Sequence, residues 1–180
     1  MKKYDCIFLD RDGTLNPDPG YINSLSDFKF FEFAISALSL IAKKDIACCI
    51  ITNQSGLSRG IIDPTELNKI HDYIRTEFRK LGAKLLDIYV CPDHPSRATS
   101  RRKPGPGMFL EAAEAYKLKL NNCLMVGDSM DDIFAGRNLN METMLVLTGR
   151  GRGTIKKLND NEQPTYVAKN INEGFEQLCL

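Results

Sequence analysis

The sequence predicts an α/β fold with a mainly parallel sheet and helices on both faces. Short apolar runs alternate with segments of helical period along the chain, the pattern left by strand–helix–strand units. Three of the runs stop abruptly at a polar residue: Asp10, Thr52 and Asp128. In an open α/β sheet ligands sit beyond the carboxyl ends of the strands. The same strand ends therefore point to both the fold and the place of its chemistry.

The first strand is expected over 4–10, where Cys6-Ile7-Phe8-Leu9 gives a continuous apolar run. A helix over 32–44 leads to a second strand over 46–52, rich in β-branched isoleucine. The next helix, 64–81, has Pro64 in its first turn and Asp63 as a plausible cap. A strand over 86–91 follows, then a helix over 106–116 that again opens on proline. Strand 123–127, helix 130–139 and strand 144–147 come next. A weaker strand over 165–168 and a helix over 172–180 close the chain. The longest irregular stretches are 16–28, 92–105 and 148–163, and none divides the chain, so residues 1–180 read as a single domain.

Apolar residues make up 43% and charged residues 26% of the chain, as in an ordinary globular protein. A net charge of +1 gives no global attraction to nucleic acid or anionic membrane. No apolar stretch approaches the roughly 20 residues of a membrane span. The first strand begins almost at once, without a charged-then-apolar leader, so a cytoplasmic location is expected. Of six cysteines, Cys6, Cys48, Cys49 and Cys123 lie inside apolar runs. They read as reduced core thiols, not as a disulfide framework.

The first strand ends in Asp10-Arg11-Asp12-Gly13-Thr14. Two carboxylates one residue apart project to the same side of an extended chain and repel unless a cation or a reaction uses both. A carboxylate can attack phosphorus, and a second carboxyl nearby can carry the proton that the leaving group needs. Asp10 is thus the candidate nucleophile and Asp12 the candidate acid/base. Alone, Asp-x-Asp-Gly is also an ordinary turn.

Other strand ends supply complementary groups. Thr52-Asn53-Gln54-Ser55-Gly56 offers hydroxyls, amides and a flexible backbone to phosphoryl oxygens. Arg59 follows closely and could meet a second anionic group. Arg102 and Lys103 precede the helix near Pro106. Lys103 suits a point contact with phosphate and the aspartate nucleophile, and Arg102 suits a bidentate grip. Asp128 would complete a hard-oxygen site suited to Mg²⁺. Asp132 either shares a helix face with Asp128 or is an acid favoured by the helix N-terminus.

Together the four segments resemble the haloacid dehalogenase (HAD) superfamily of phosphohydrolases, over residues 4 to about 147. Its motifs match Asp10-Arg11-Asp12-Gly13-Thr14, Thr52, Lys103 and Gly127-Asp128-x-x-x-Asp132. The resemblance implies a Rossmann-like, doubly wound core, Mg²⁺ dependence and an aspartyl-phosphate at Asp10. More narrowly, Asp10–Asn16, Thr52–Gly60 and Arg102-Lys103-Pro104 look like the family of D-glycero-D-manno-heptose 1,7-bisphosphate 7-phosphatases and histidinol-phosphatases. That family implies release of the 7-phosphate from a heptose bisphosphate, and so a place in lipopolysaccharide or capsule precursor synthesis.

In this scheme Asp12 protonates the leaving oxygen and then activates water, while Thr52 and Lys103 bind the phosphoryl group. Asp10, the Asp12 carbonyl and Asp128 hold Mg²⁺. Asp18, Pro19, Gly20, Tyr21, Asn53, Gln54 and Ser55 contact substrate, and Arg102 with Arg59 meets the second phosphate. The expected partner is a small phosphorylated sugar, with no nucleic acid or membrane, and a monomer is expected. The absence of a large insertion implies an open site without a cap domain.

One departure stands out. Many relatives carry a Cys-x-His and Cys-x-Cys zinc loop before Arg-Lys-Pro. This chain keeps only Cys91, with a displaced His94 and Thr99-Ser100-Arg101 where Cys-x-Cys would be. One cysteine and one histidine do not make a closed tetrahedral site, so zinc is not expected. His94 then reads as a loop side chain and His71 as an ordinary helix residue. Histidinol-phosphate phosphatase, a nucleic-acid 3′-phosphatase and a catalytically silent phosphosugar-binding module stand as alternatives. Arg59, Arg102 and Lys103 favour a doubly anionic ligand over the first. The near-neutral chain, lacking an aromatic-basic stripe, argues against the second.

Overall fold

A computed structural model describes residues 4–180. Six strands form one sheet in the order β3-β2-β1-β4-β5-β6, and each neighbouring pair is parallel. They are β1 (Cys6–Leu9), β2 (Cys48–Asn53), β3 (Leu85–Cys91), β4 (Cys123–Gly127), β5 (Glu142–Val146) and β6 (Tyr166–Ala168). The helices are α1 (Glu32–Lys43), α2 (Pro64–Lys80), α3 (Gly107–Tyr116), α4 (Met130–Asn138), the short α5 (Gly151–Thr154) and α6 (Ile171–Gln177). This is the doubly wound, Rossmann-like arrangement that the sequence predicts. Among the described residues no helix is long and apolar enough to cross a membrane.

The two-residue period of the strands sorts the core onto two faces. Ile7, Leu9, Cys48, Ile50, Leu124 and Val126 pack with Leu38 and Ile41 of α1, Ile70, Ile74 and Phe78 of α2, and Phe175 of α6. Their sequence neighbours Cys6, Phe8, Cys49, Ile51, Cys123 and Met125 pack on the other side with Met108, Phe109 and Ala112 of α3 and Ala135 of α4. Phe8 meets Phe109 edge to face at 5.2 Å between ring centroids. Each large apolar side chain so buried contributes roughly 1.5–3 kcal/mol. All six cysteines are free thiols, five of them buried.

The chain winds from β1 outward to β2 and β3, then returns to place β4 on the other flank of β1. The strand order reverses there, so a crevice opens over the carboxyl ends of β1 and β4. Leu9 lies level with Ile50 on one side and Val126 on the other. That register brings Asp10, Thr52 and Asp128, each just past those positions, to one edge of the sheet.

The helix starts follow their sequence signals. Asp63 accepts hydrogen bonds from the Thr65 and Glu66 amides at the start of α2. Ser129 and Asp132 form a reciprocal capping box at the start of α4; a cap of this kind is worth about 1 kcal/mol. β5 starts two residues before the expected 144, because Thr143 is buried and exchanges hydrogen bonds with Thr165. α5 lies inside the predicted irregular stretch: its Gly-Arg-Gly-Thr sequence has poor helix propensity. Tertiary contact sets it, with Gly151 against the Val146 carbonyl and the Thr154 hydroxyl donating to the Asp128 carbonyl at 2.9 Å.

Candidate active site

A cavity of about 230 Å³ opens over the crevice. Its lining gathers Asp10, Asp12, Asp18, Gly20, Tyr21, Thr52, Asn53, Gln54, Ser55, Arg102, Lys103 and Asp128 from separate chain segments. Pro19 and Arg59 are not part of the lining; Arg59 instead donates to the Tyr21 hydroxyl and lies over its ring. The wall also holds Ser129, Asp131 and Arg150, which the sequence reasoning did not single out. Arg150 follows β5, on the next strand end beyond Asp128. The strand-end rule that located Asp10 and Asp128 applies there too, and the Thr148-Gly149-Arg150-Gly151 turn carried its signal.

Lys103 is the buried centre of the site. Its Nζ donates to Asp10 Oδ1 at 2.7 Å, Asp132 Oδ1 at 2.6 Å and the Ile51 carbonyl at 2.7 Å. All three ammonium donors are thereby used. Burial works against this charge, but Asp10 and Asp132 outweigh it and hold the ammonium well above its ordinary range. The Asn53 amide secures the Lys103 main chain from both ends, donating to its carbonyl and accepting from its N–H, each at 3.1 Å. Asn53 therefore lines the cavity while its side chain is occupied in holding Lys103. Asp132 follows the helix N-terminal reading and not the shared helix face, since Asp128 precedes α4: one oxygen caps α4 through Ser129 and the other orients Lys103.

Asp12 is held in a different way. Arg11, fully buried, donates Nε to Oδ1 at 2.9 Å and Nη2 to Oδ2 at 2.7 Å. Asn16 adds a bond to Oδ1 at 2.9 Å and Gln54 one to Oδ2 at 2.7 Å. The Gln54 amide also donates to the Thr52 hydroxyl at 2.9 Å, linking the β1 and β2 ends. Burial would raise the Asp12 carboxyl, but Arg11, Asn16 and Gln54 reverse it, and the net shift is downward. His71, expected to be an ordinary helix residue, is buried on α2, and burial next to Arg11 pushes it down to about 4. His94 is a loop side chain as expected: it accepts the Ser96 amide and starts a single 3₁₀ turn, Pro95–Arg97.

Asp128 accepts the Arg150 amide at 2.7 Å. Burial, then the Asp132 charge, pushes its carboxyl up to about 7. Burial likewise pushes Asp10 well above the carboxylate range; Lys103 pulls it back, while Asp132 and Asp128 push it up. Asp10, Asp128 and Asp132 each offer an oxygen within 4.8 Å of the others, and all three are buried. Arg11 already balances Asp12, and among the described residues Lys103 is the cation in direct ion pairs with this group, through Asp10 and Asp132. The remaining deficit of about two positive charges fits a hard divalent cation held by oxygen ligands.

The chain is similar to known proteins. A family model described as HAD-hydrolase-like matches residues 100–174. The D-glycero-β-D-manno-heptose-1,7-bisphosphate 7-phosphatase of Pasteurella multocida is 36% identical over 178 residues, spanning 95% of this chain and 94% of its own. The chain belongs to the HAD-like hydrolases. The enzyme of the same description from Escherichia coli K12 is 34% identical over 157 residues, 83% of this chain and 82% of its own. The crystal structure of D,D-heptose 1,7-bisphosphate phosphatase from Bordetella bronchiseptica, complexed with magnesium and phosphate, superposes with a TM-score of 0.88. It is 32% identical and covers 97% of this chain and 98% of its own. As a HAD-like hydrolase, the chain pairs an aspartate at the end of the central strand with a buried lysine from the β3–α3 loop. Their bond across 93 residues of sequence sets the site's geometry.

Proposed function

We propose that this HAD-like hydrolase is a magnesium-dependent phosphomonoesterase that removes the 7-phosphate of D-glycero-β-D-manno-heptose 1,7-bisphosphate, acting as one domain and as a monomer. The observation that carries the reading is the Asp10–Lys103–Asp132 bridge on the floor of an anion-sized cavity. The full-length likeness to heptose bisphosphate phosphatases supports the choice of sugar. The choice of sugar supports reading the protein as a cytoplasmic enzyme of lipopolysaccharide or capsule precursor synthesis.

Lys103 occupies Oδ1 of Asp10, which leaves Oδ2 as the attacking atom. Attack forms the Oδ2–phosphorus bond and breaks the phosphorus–O7 bond of the sugar. Asp12 gives its proton to the departing sugar oxygen, then takes one from the water that attacks the aspartyl-phosphate. Phosphorus–Oδ2 cleavage releases inorganic phosphate and restores Asp10. Bonds from Arg11, Asn16 and Gln54 keep Asp12 ionised at rest, the form that accepts the proton from water. Carrying a proton in the first half requires that clamp to loosen. The Thr52 hydroxyl binds the phosphoryl oxygens and the Lys103 ammonium, held against Asp10, offsets their charge, while Arg102 with the Asp18–Tyr21 and Asn53–Ser55 segments borders the sugar.

Asp10, Asp128 and the Asp12 carbonyl would hold Mg²⁺, which when bound neutralises charge on the transferring phosphoryl group. Zinc has no part in this scheme, since Cys91 is the only cysteine retained in its loop.

The test is phosphate release in Mg²⁺ buffer from both heptose bisphosphate anomers, histidinol phosphate and a 3′-phosphorylated oligonucleotide. The heptose substrates should lead by kcat/KM, and Asp10→Asn should bind substrate without turnover. Preferred hydrolysis of histidinol phosphate, or sustained turnover by the Asn variant, would overturn the reading.

A further inference from the structure

We propose that Arg150 is the specificity-determining contact for the second, non-reacting phosphate of the substrate, and that Asp18 holds its guanidinium ready in the unliganded enzyme. The inference rests on the bisphosphatase reading above and identifies the residue that makes the second phosphate matter.

The root of Arg150 is fixed to the reaction centre. Its N–H donates to Asp128 Oδ2 at 2.7 Å. Two residues earlier, the Thr148 hydroxyl donates to the Gly13 carbonyl at 2.6 Å. Between them Gly149 has φ +48° and packs so closely that an added Cβ would lie 2.0 Å from Asp128 Oδ2 and 2.7 Å from Gly13 Cα. The turn after β5 is thus keyed into the Asp-x-Asp-Gly turn after β1.

The head of Arg150 is free to bind. Its side chain is 70% exposed, and the carboxylate it meets is Asp18, at 2.9 Å from Nη2. Asp18 is itself fixed, with its other oxygen accepting the Gly20 amide at 2.9 Å. Only Nη2 of the guanidinium fork is therefore engaged, while Nε and Nη1 make no hydrogen bond among the described residues. Five bonds of about 1.5 Å each separate the Cα from the guanidinium carbon. The side chain is therefore long enough to carry the fork roughly one sugar ring beyond the Asp128 carboxylate. Arg150 also lines a second, open groove with Ser129, Gly153 and Lys157, which shares Ser129 and Asp131 with the cavity and leaves room for a phosphate on the far side of a sugar.

The other arginines are less available. Arg59 is turned onto Tyr21. Arg102 donates Nη1 to the Asp93 carbonyl and stands next to Lys103 in the cavity lining. A phosphate dianion offers the Arg150 fork two oxygens and more charge than the Asp18 carboxylate does. It can therefore replace Asp18 as partner, whereas a neutral hydroxyl at the same place cannot.

The experiment compares kcat/KM for heptose 1,7-bisphosphate and heptose 7-phosphate in wild type, Arg150→Ala and Arg150→Lys. The bisphosphate preference should fall at least about tenfold in Arg150→Ala, the scale of one lost charge-assisted contact. The loss should lie mainly in KM for the bisphosphate, since the contact is present before and during the chemical step. Arg150→Lys keeps the charge without the fork and should recover part of the preference. A wild-type preference that persists in Arg150→Ala overturns this inference alone. A wild-type enzyme with no preference for the doubly phosphorylated sugar overturns the bisphosphatase reading and this inference with it.

Discussion

Lys103 concentrates the energetics of the site in one residue. It is 3% exposed and is shared by two buried carboxylates, so its charge offsets a repulsion that burial would otherwise intensify. Replacing it by methionine preserves much of the volume but leaves Asp10 and Asp132 without their cation. Breaking a buried pair in this way costs about 3–5 kcal/mol, less whatever the carboxyls recover by binding protons. Lys103→Met should lower the urea midpoint and reduce kcat by at least about 100-fold, as expected when a preorganised charge at the transition state is removed. Activity within about tenfold of wild type would show that the phosphoryl group does not depend on this ammonium. The importance of Lys103 was legible in the sequence from its place before Pro104. The clamp on Asp12 was not: nothing local marks the arginine between two strand-end aspartates as the buried partner of one of them. Only the fold shows it fully buried, near His71 of α2.

At the level of elements, the strands and their ends were legible because each apolar run is short and stops at a polar group. The helices were legible because period and caps agree, as at Asp63 and Ser129. The turn after β5 was legible only by its place at a strand end. Its residues are small or flexible, and its meaning lies in contacts with Gly13, Asp18 and Asp128, all far from it in sequence. That turn gives a sharp test. Gly149→Ala forces a side chain into a left-handed backbone, costing about 1–2 kcal/mol. It also directs its Cβ at the Asp128 carboxylate and the Gly13 backbone. The fold should survive while kcat/KM falls at least about tenfold, because displacements near about 1 Å at a reacting centre carry penalties of that order or more. Gly82→Ala is the matched control: its φ is +70°, its added Cβ meets nothing within 4 Å, and it should change activity less than about twofold. Equal effects of the two substitutions, measured by phosphate release and circular dichroism, would mean that the turn does not position Asp128.

For the whole molecule, the clustered charges link metal binding, protonation and stability. Asp128 is pushed up to about 7 and Asp10 upward as well, so the folded metal-free site holds protons that the unfolded chain has released. The folded-state value of Asp128 is raised from 3.8 to about 7. Its stabilising contribution is therefore complete below the unfolded value and is lost as pH rises through the folded one. His71 gives the opposite slope: its folded value is about 4 against an ordinary 6.5, so it destabilises the fold as pH falls through that interval. A simple pH–stability curve would mix the two. Magnesium separates them, because it must displace the protons on the aspartates but has no ligand in His71. Mg²⁺ affinity should therefore rise from about pH 6 to pH 8, by about tenfold per unit below the Asp128 value for each proton released, and level off above it. The thermal shift produced by a fixed Mg²⁺ concentration should grow over the same interval, following the stabilisation that binding confers on the folded state. Calorimetric titrations in two buffers of different ionisation enthalpy measure the proton release directly. Equal Mg²⁺ affinity at the two ends of that interval, with no buffer-dependent heat, would contradict the assignment of this carboxylate cluster as the metal site.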